Sequence, residues 1–361
     1  MRRVEKIYPM FLKKRNRCDI MIGKAKGKGV GKMKGFVSIR SFDYKKRRRQ
    51  TVGGLVSEAS TPVDIWHLPP PADDFGSAVT VVSLKDDKDS KKNQTFLINC
   101  GSSDRAVVKY LVPALSRIGI KVSDIDVLVF TDCSPDSMGG VHKLRQLCPD
   151  IKVLTNSYQG TYLRNPSYRF MQYWEDYIDY SPAYREMRGM LPSADNIQSL
   201  SYTKLQPIRL QGVMSDALCW YCPDWNLLIC GELLQNGGSE ITDVACIENA
   251  ELYRISLEYI YETRFETLLC SKKQKKLPYI ISGLQNCRDA VSRSLDVLSE
   301  YNRFITAYAS KKHIKKENID IEDLTEEYIK VYNKKPAKQG YAMRTFDFLI
   351  HPEKYKQKFS S

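Results

Sequence analysis

The cysteines are the residues whose type and spacing most directly suggest metal binding or nucleophilic chemistry. Cys219 and Cys222 form a Cys-x-x-Cys pair on a predicted strand and turn, and Cys230 could lie near them on the partner strand. A structural zinc site needs a second pair or histidine partners, so the motif alone favours thiols that pack as small hydrophobic groups. Cys133 could be a nucleophile if a base and an oxyanion site surround it, but a lone buried cysteine is usually inert.

The N-terminal segment is the second chemically distinctive part of the chain. The formal net charge is +14, yet residues 1–50 contain 18 Lys and Arg side chains against three carboxylates, and the remaining residues are close to neutral. A phosphate-binding loop is excluded near Gly31 and Lys32 because the glycine spacing is wrong and no Ser or Thr follows the lysine. A solvated tail is one interpretation. Contact with nucleic acid or anionic lipid, or a nuclear address in a eukaryote, is the other, through the basic run Lys45, Lys46, Arg47, Arg48 and Arg49.

The elements that would position a site begin near residue 78, where short apolar runs alternate with helical patterns. The patterns predict strands at 78–84, 95–99, 127–130, 151–154, 217–221, 227–230 and 279–281, and helices at 104–118, 140–147, 249–270 and 286–308. This order favours an α/β (α+β) class with a mixed sheet layered with helices.

Composition divides the chain into three parts. Residues 1–75 are predicted to be a basic, partly disordered arm and linker, 76–310 the main domain and 311–361 a small helical appendage, in which Asp323 could cap a helix. Within the main domain, 166–200 is an aromatic helical insertion, and its residues 170, 173, 174 and 177 share one helix face that is expected to pack against the domain. A lid over a pocket is the alternative.

Five segments of the chain resemble, in order, the landmarks of the metallo-β-lactamase superfamily. A strand followed by Asn-Cys-Gly at 99–101 corresponds to the family's Asp-x-Gly, and 131–140 corresponds to its Thr-His-x-His-x-Asp-His-x-Gly-Gly signature. The loop 212–216, the Gly-Glu-Leu at 231–233 and the segment 282–285 fall where the family has its remaining landmarks. The resemblance covers about residues 78–310 and implies a four-layered αββα sandwich.

The resemblance implies that the family's zinc ligands have been replaced. The corresponding positions hold Asp132, Ser134, Asp136, Ser137, Met214, Glu232 and either Leu284 or Gln285. Zinc in proteins prefers imidazole, thiolate or carboxylate ligands, so three of these positions keep a suitable donor: Asp132, Asp136 and Glu232. They could instead hold a hard cation such as Mg²⁺ or Ca²⁺, or serve structural hydrogen bonds. Among the chain's histidines, His142 follows the signature on a helix, where a surface role is favoured over metal binding.

The resemblance therefore implies a degenerate member of the superfamily that acts as a scaffold, binding or regulatory subunit. Residues 1–50 would contact nucleic acid or another acidic partner, and an active paralogue is a further candidate partner. The alternatives are a hydrolase with an oxygen-rich metal site at Asp132, Asp136 and Glu232, and a small-molecule binder that uses the aromatic segment 168–184 as a wall. No cofactor is expected, or else a divalent metal ion. Neither a signal peptide nor a membrane-spanning stretch is predicted, which favours an intracellular protein, cytoplasmic or nuclear.

Overall fold

The computed structural model describes residues 37–39, 63–71, 76–84, 93–173, 175–177, 195–196, 205–238, 242–274, 277–335 and 339–353. The basic run at 45–49, the predicted turn after Leu84 and most of the aromatic insertion lie outside these ranges. Within them, no helix is long and apolar enough to cross a membrane.

The first sheet has seven strands in the described part of the chain, and they follow one another across the sheet in sequence order. From β1 to β4 each strand is antiparallel to its neighbour, whereas the strands from β4 to β7 are parallel. Because β4 and β5 are parallel, the residues that follow them, Asn99 and Phe130 onward, emerge at the same edge of the sheet. The strands are β1 Val37–Ile39, β2 Val63–Leu68, β3 Val79–Leu84, β4 Gln94–Ile98, β5 Val127–Val129, β6 Lys152–Thr155 and β7 Asp195–Asn196.

The second sheet has five strands within the described residues, in the order β12-β11-β10-β9-β8. Its central pair, β10 and β11, is parallel, and its other pairs are antiparallel. The carboxyl ends of β10 and β11 therefore also meet at one edge. The strands are β8 Gln206–Ile208, β9 Cys219–Cys222, β10 Leu227–Gly231, β11 Thr267–Cys270 and β12 Ile280–Ser282.

Three apolar layers hold the fold together. Side chains such as Ile65 and Val129 of the first sheet pack against Trp220 and Ile229 of the second, which places the two sheets face to face. The outer face of the first sheet is covered by α1 Asp104–Ala106, a π-helical turn Val107–Leu111, α2 Val112–Arg117, α3 Pro135–Met138, α4 Val141–Leu147, α5 Ser157–Arg164 and α6 Pro166–Tyr173. The outer face of the second is covered by α7 Ala250–Thr263, α8 Leu284–Lys312, α9 Ile321–Val331 and α10 Gln339–Ile350. The αββα sandwich predicted from the sequence is confirmed.

The predicted helix at 249–270 is wrong in its last third. Helix α7 ends at Thr263 because Arg264 adopts a left-handed backbone conformation with φ of 61°. The next residues form the buried strand β11, which pairs with both β10 and β12. An apolar run of this length fits a helix or a strand equally well, and the neighbouring strands decide between them.

The C-terminal region packs into the main domain rather than standing beside it. Leu324 of α9 and Phe346 of α10 belong to the same apolar cluster as α7 and α8, and Phe348 reaches the cluster on the first sheet. The cap of α9 is Asp320, whose carboxylate accepts hydrogen bonds from two backbone N–H groups, so the predicted cap Asp323 lies inside the first turn.

The N-terminal boundary also differs in detail. Strand β2 falls in the segment assigned to the arm and linker, yet it pairs with β3 along its whole length. In the aromatic insertion, Phe170 is buried in the helical layer as the helix-face prediction requires, whereas Tyr168 is exposed.

Candidate functional site

Loops from both sheets meet at one end of the sandwich, where four of the five landmark segments lie. The fifth segment, 282–285, follows β12 beside the start of β11 and therefore lies at the opposite end. Close backbone approach explains why the glycines of these segments are present. A side chain at Gly139 would place its Cβ 2.0 Å from the carbonyl oxygen of Ser102, and one at Gly231 would come within 2.8 Å of Cβ of Thr131. Gly231 also has φ of 59°, a conformation that glycine adopts without strain. The glycine frame is thus required for packing, whatever chemistry the loops perform.

A lysine joins the two halves of this site. Nζ of Lys272, in the loop after β11, lies 3.0 Å from Oε1 of Glu232 and also forms an ion pair with Oδ2 of Asp136. Asp136 belongs to the first sheet's loop and Glu232 to the second's, so the ammonium group links the sheets. The side chains of Lys272 and Glu232 are 12% and 11% exposed and that of Asp136 is 26% exposed.

Glu232 and Lys272 each shift the pKa of the other. Burial raises the pKa of Glu232 to about 7, although the Lys272 ammonium opposes the shift and the neighbouring Asp132 and Asp136 add to it. Burial also disfavours the charged form of Lys272, but the two carboxylates outweigh it and raise the pKa of the lysine well above its ordinary value. Lys272 is therefore a firmly charged ammonium group at neutral pH.

Asp132 is committed to a different set of partners. Its Oδ2 accepts hydrogen bonds from the hydroxyl groups of Thr131 (2.8 Å) and Ser137 (3.0 Å), and its Oδ1 accepts one from the backbone N–H of Ser134 (2.9 Å). The side chain is 2% exposed. Hydroxyl and N–H donors stabilise the carboxylate in the way they do in a tight structural loop.

The hydroxyl groups continue this network into both sheets. Oγ of Ser137 is 3.0 Å from Oγ of Ser77, and that of Ser134 is 3.4 Å from Ser137. Asn99, with φ of 65°, accepts a hydrogen bond from the N–H of Thr131 and donates to Oγ of Ser271 in the lysine loop. A carboxylate at position 99 could make the second contact only as an acceptor from the Ser271 hydroxyl, because it has no donor of its own.

These residues do not fit the dinuclear zinc centre that the fold implies. Two of the three remaining carboxylates are paired with an ammonium group, and the third accepts bonds from three protein donors. Ser134, Ser137 and Met214 lie where the resemblance implies metal ligands. The prediction that Leu284 or Gln285 takes such a position is wrong, because they begin helix α8 beside the start of β11, at the opposite end of the sheet from Lys272, and Gln285 is exposed and donates to Asp289. Across the described residues, no group of three or more His, Cys, Asp or Glu side chains is arranged to hold a metal ion.

The other candidate residues are placed apart from this cluster. Cys219 contributes to the apolar layer under the helices and Cys222 to the layer between the sheets, so the two thiols point to opposite faces of β9 and cannot share a metal. Sγ of Cys230 instead lies 3.8 Å from that of Cys270. Cys133 is fully buried, with its Sγ directed at the carbonyl oxygen of Gln159. His142 is on the surface of α4, paired with Asp104.

Backbone and side-chain bonds fix the loop that carries Lys272. Nε2 of the buried His67 donates to the carbonyl oxygen of Cys270 (3.1 Å), while its Nδ1 accepts from the hydroxyl of Thr80 (2.8 Å). The N–H of Ser271 donates to Gly231, and its carbonyl accepts from Ala78. Burial lowers the pKa of His67 to about 4, so the ring is neutral and can act as donor and acceptor at once.

A second buried ion pair lies beside the loop at 212–216. Arg344 of α10 pairs with Oε1 of Glu248, whose Oε2 accepts a hydrogen bond of 2.8 Å from the N–H of Ser215. Both charged side chains are 1% exposed. The loop that would have supplied a histidine ligand is thus anchored through Glu248 to the C-terminal helix.

Sequence reasoning missed Lys272 and Arg344. The lysine follows a segment that the apolar periodicity predicts as helix, and the arginine lies in the region predicted as a C-terminal appendage. A basic residue directly after a buried strand at the same sheet edge as two carboxylates is the signal that could have identified Lys272.

Comparison with solved structures shows which fold this architecture is. A metallo-β-lactamase family protein from Thermus thermophilus is similar to 81% of this chain over 93% of its own length, with a TM-score of 0.56 and 14% identity. A β-lactamase domain protein from Burkholderia ambifaria is similar to 87% of the chain over 95% of its own length, with a TM-score of 0.55 and 12% identity. No protein-family model and no curated protein matches the sequence. The chain has the metallo-β-lactamase fold.

Proposed function

We propose that this protein is a non-hydrolytic member of the metallo-β-lactamase fold that acts as a scaffold or binding subunit. The observation that carries the proposal is the ion pairing of Lys272 with Asp136 and Glu232. Hydrolysis in this fold depends on a metal that polarises the substrate and lowers the pKa of bound water. A protonated lysine lacks the open coordination position that this chemistry requires.

The bonding of Asp132 supports the same proposal. A metal ligand must direct a lone pair at the ion, whereas Asp132 uses both oxygens to organise its own loop. Recruiting it to a metal would deprive the N–H of Ser134 of its acceptor, at a cost of about 1–3 kcal/mol for a buried group left unpaired. The hydroxyl groups of Thr131 and Ser137 would have to rely on Asn99 and Ser77 instead.

Metal content and hydrolysis test the proposal together. The full chain, purified without chelators from zinc-supplemented cells, should contain substoichiometric zinc, manganese and iron by elemental analysis. It should also leave a cephalosporin and a phosphodiester reporter intact. Stoichiometric metal that disappears in Asp136→Ala, accompanied by turnover, would establish the alternative of a hydrolase with oxygen ligands.

The partner that we propose for the basic segment is nucleic acid. Phosphate binding depends on positive charge more than on shape, and residues 1–50 concentrate that charge while the rest of the chain is nearly neutral. Deleting all of 1–50 would also remove strand β1, which pairs with β2. A cleaner variant replaces Lys45, Lys46, Arg47, Arg48 and Arg49 with Gln and keeps the strand.

The matched control replaces five exposed lysines elsewhere with Gln: Lys311, Lys312, Lys315, Lys316 and Lys330. The proposal expects the first variant to bind duplex and single-stranded nucleic acid more weakly, with a shallower dependence of log affinity on log salt, and the control to change little. Equal losses in both variants would point to non-specific attraction by total charge and remove the arm from the proposal.

A further inference from the structure

The Lys272 ammonium lies at a position where two loops of opposite sheets direct carboxylates at a common point. Asp136 follows β5 of the first sheet and Glu232 follows β10 of the second. The lysine comes from a third loop, after β11. One positive charge thus bridges three loops and both sheets.

We infer that the carboxylates of Asp136 and Glu232 form a cation site whose permanent occupant is the side chain of Lys272. The ammonium supplies the positive charge that neutralises Asp136 and Glu232 and ties the two sheets together at this edge. The inference rests on the proposed function, since it requires that no metal competes for these carboxylates in the native chain. If Lys272 is shortened, the same carboxylates accept an external cation in its place: methylammonium, which carries the same charged group, or a hard divalent metal ion, which prefers oxygen ligands.

The fixed geometry of the lysine loop supports this inference. Ser271 is bonded to the backbone of both Gly231 and Ala78 and to the side chain of Asn99. Cys270 is held by His67 and by the N–H bond to Tyr279. A lysine that reached the carboxylates by chance from the surface would not need a preceding backbone segment that is hydrogen-bonded to both sheets.

The electrostatics indicate what shortening Lys272 would do. Asp136 and Glu232 would face each other, with Asp132 close by, in a partly desolvated cleft. Removing one partner of a buried pair is strongly destabilising, because the remaining charge is left uncompensated. A cation that entered the vacated space would recover that loss. Oxygen ligands favour Mn²⁺ or Mg²⁺ over softer metals.

The test compares Lys272→Ala with two controls. Lys272→Met removes the charge but fills the space, and Lys273→Ala removes the neighbouring exposed lysine. Thermal unfolding is followed in buffer, in Mn²⁺ and in methylammonium, and Mn²⁺ binding is measured directly by electron paramagnetic resonance. The wild type and Lys273→Ala are expected to show no saturable response.

For Lys272→Ala, we expect a midpoint about 5 °C or more below the wild type. We also expect saturable recovery by Mn²⁺ and by methylammonium, and loss of that recovery when Asp136→Asn is added. Lys272→Met should be destabilised without recovery. Equal recovery of Lys272→Ala and Lys272→Met by added cations would place those cations on the surface and overturn the inference. A Lys272→Ala protein that neither loses stability nor binds Mn²⁺ would also overturn it.

A folding failure of Lys272→Ala is covered by the triple variant Lys272→Met, Asp136→Asn, Glu232→Gln. With no carboxylate to neutralise, it should be soluble and melt above Lys272→Met. A triple variant no more stable than the single one contradicts the inference. Stoichiometric metal in the wild type would refute the proposed function itself, whereas an unresponsive Lys272→Ala protein beside a metal-free wild type refutes this inference alone.

Discussion

Two glutamates of this fold each face a basic side chain, and their surroundings differ. Glu248 and Arg344 are both almost inaccessible, and the two oxygens of Glu248 are shared between the guanidinium group and the N–H of Ser215. Glu232 and Lys272 lie nearer the surface, and the single ammonium group is divided between Glu232 and Asp136. In the first pair one carboxylate faces one cation, whereas in the second two carboxylates share one cation.

The difference shows which pair is built for structure alone. A guanidinium group has a planar fork that matches carboxylate geometry and stays charged in any protein environment. It suits a permanent joint between α10 and the loop at 212–216. An ammonium group is a compact point charge, and that of Lys272 lies between two carboxylates. Because two carboxylates face the single ammonium group of Lys272, that group is outnumbered by acidic side chains.

The largest effect should come from breaking the arginine pair. Arg344→Met leaves Glu248 buried without its counter-charge and is expected to lower the free energy of unfolding by about 3–5 kcal/mol. Urea denaturation at 25 °C followed by circular dichroism measures the change. The double variant Arg344→Met, Glu248→Met should recover much of the loss, since the stranded charge is removed as well. If the double variant is as unstable as the single one, packing rather than charge explains the role of Arg344.

Acid should lower the free energy of unfolding through His67, which donates a hydrogen bond to the loop that carries Lys272. Because the pKa of His67 falls from 6.5 in the unfolded chain to about 4 in the fold, its contribution is present above pH 6.5 and is lost as the pH falls towards 4. The expected loss between pH 7 and pH 4 is ~3 kcal/mol. His67→Gln keeps a donor and an acceptor but cannot titrate, so its stability should decline less over this range. Parallel pH curves for the two proteins would contradict the assignment.

The order of strands and helices from 78 to 154 could be predicted because the evidence is local. Alternating apolar residues and short turns identify each element without knowledge of its neighbours, and the signature glycines mark the loops. Which side chains meet at the site could not be predicted in the same way. Asp136 and Lys272 are 136 positions apart, and Glu248 and Arg344 are 96 positions apart. Their contacts depend on the pairing of β10 with β11 and on the docking of α10, which no local pattern records.

The three carboxylates of the candidate site show the same limit of prediction from sequence. The resemblance to the superfamily implies Asp132, Asp136 and Glu232 as one group of candidate metal ligands. In the structure they divide into one that organises its own loop and two that face a lysine. Carboxylates with either role look the same in the sequence, and the donor that faces each one in the structure decides its role.

Glu232 provides the smallest and most specific test of the comparison. Its pKa is raised from 4.5 to about 7, so its contribution to stability is fully present below pH 4.5 and is lost as the pH rises through 7. We expect the free energy of unfolding to fall by about 2 kcal/mol more between pH 5 and pH 8 in the wild type than in Glu232→Gln, which carries no charge in this range. In Lys272→Met the decline should be steeper than in the wild type, because the ammonium that opposes the shift is absent. Urea titrations of the three proteins at pH 5, 6.5 and 8 measure these slopes, and a wild-type slope equal to that of Glu232→Gln would mean that Glu232 is ionised throughout and that Lys272 neutralises it as completely as Arg344 neutralises Glu248.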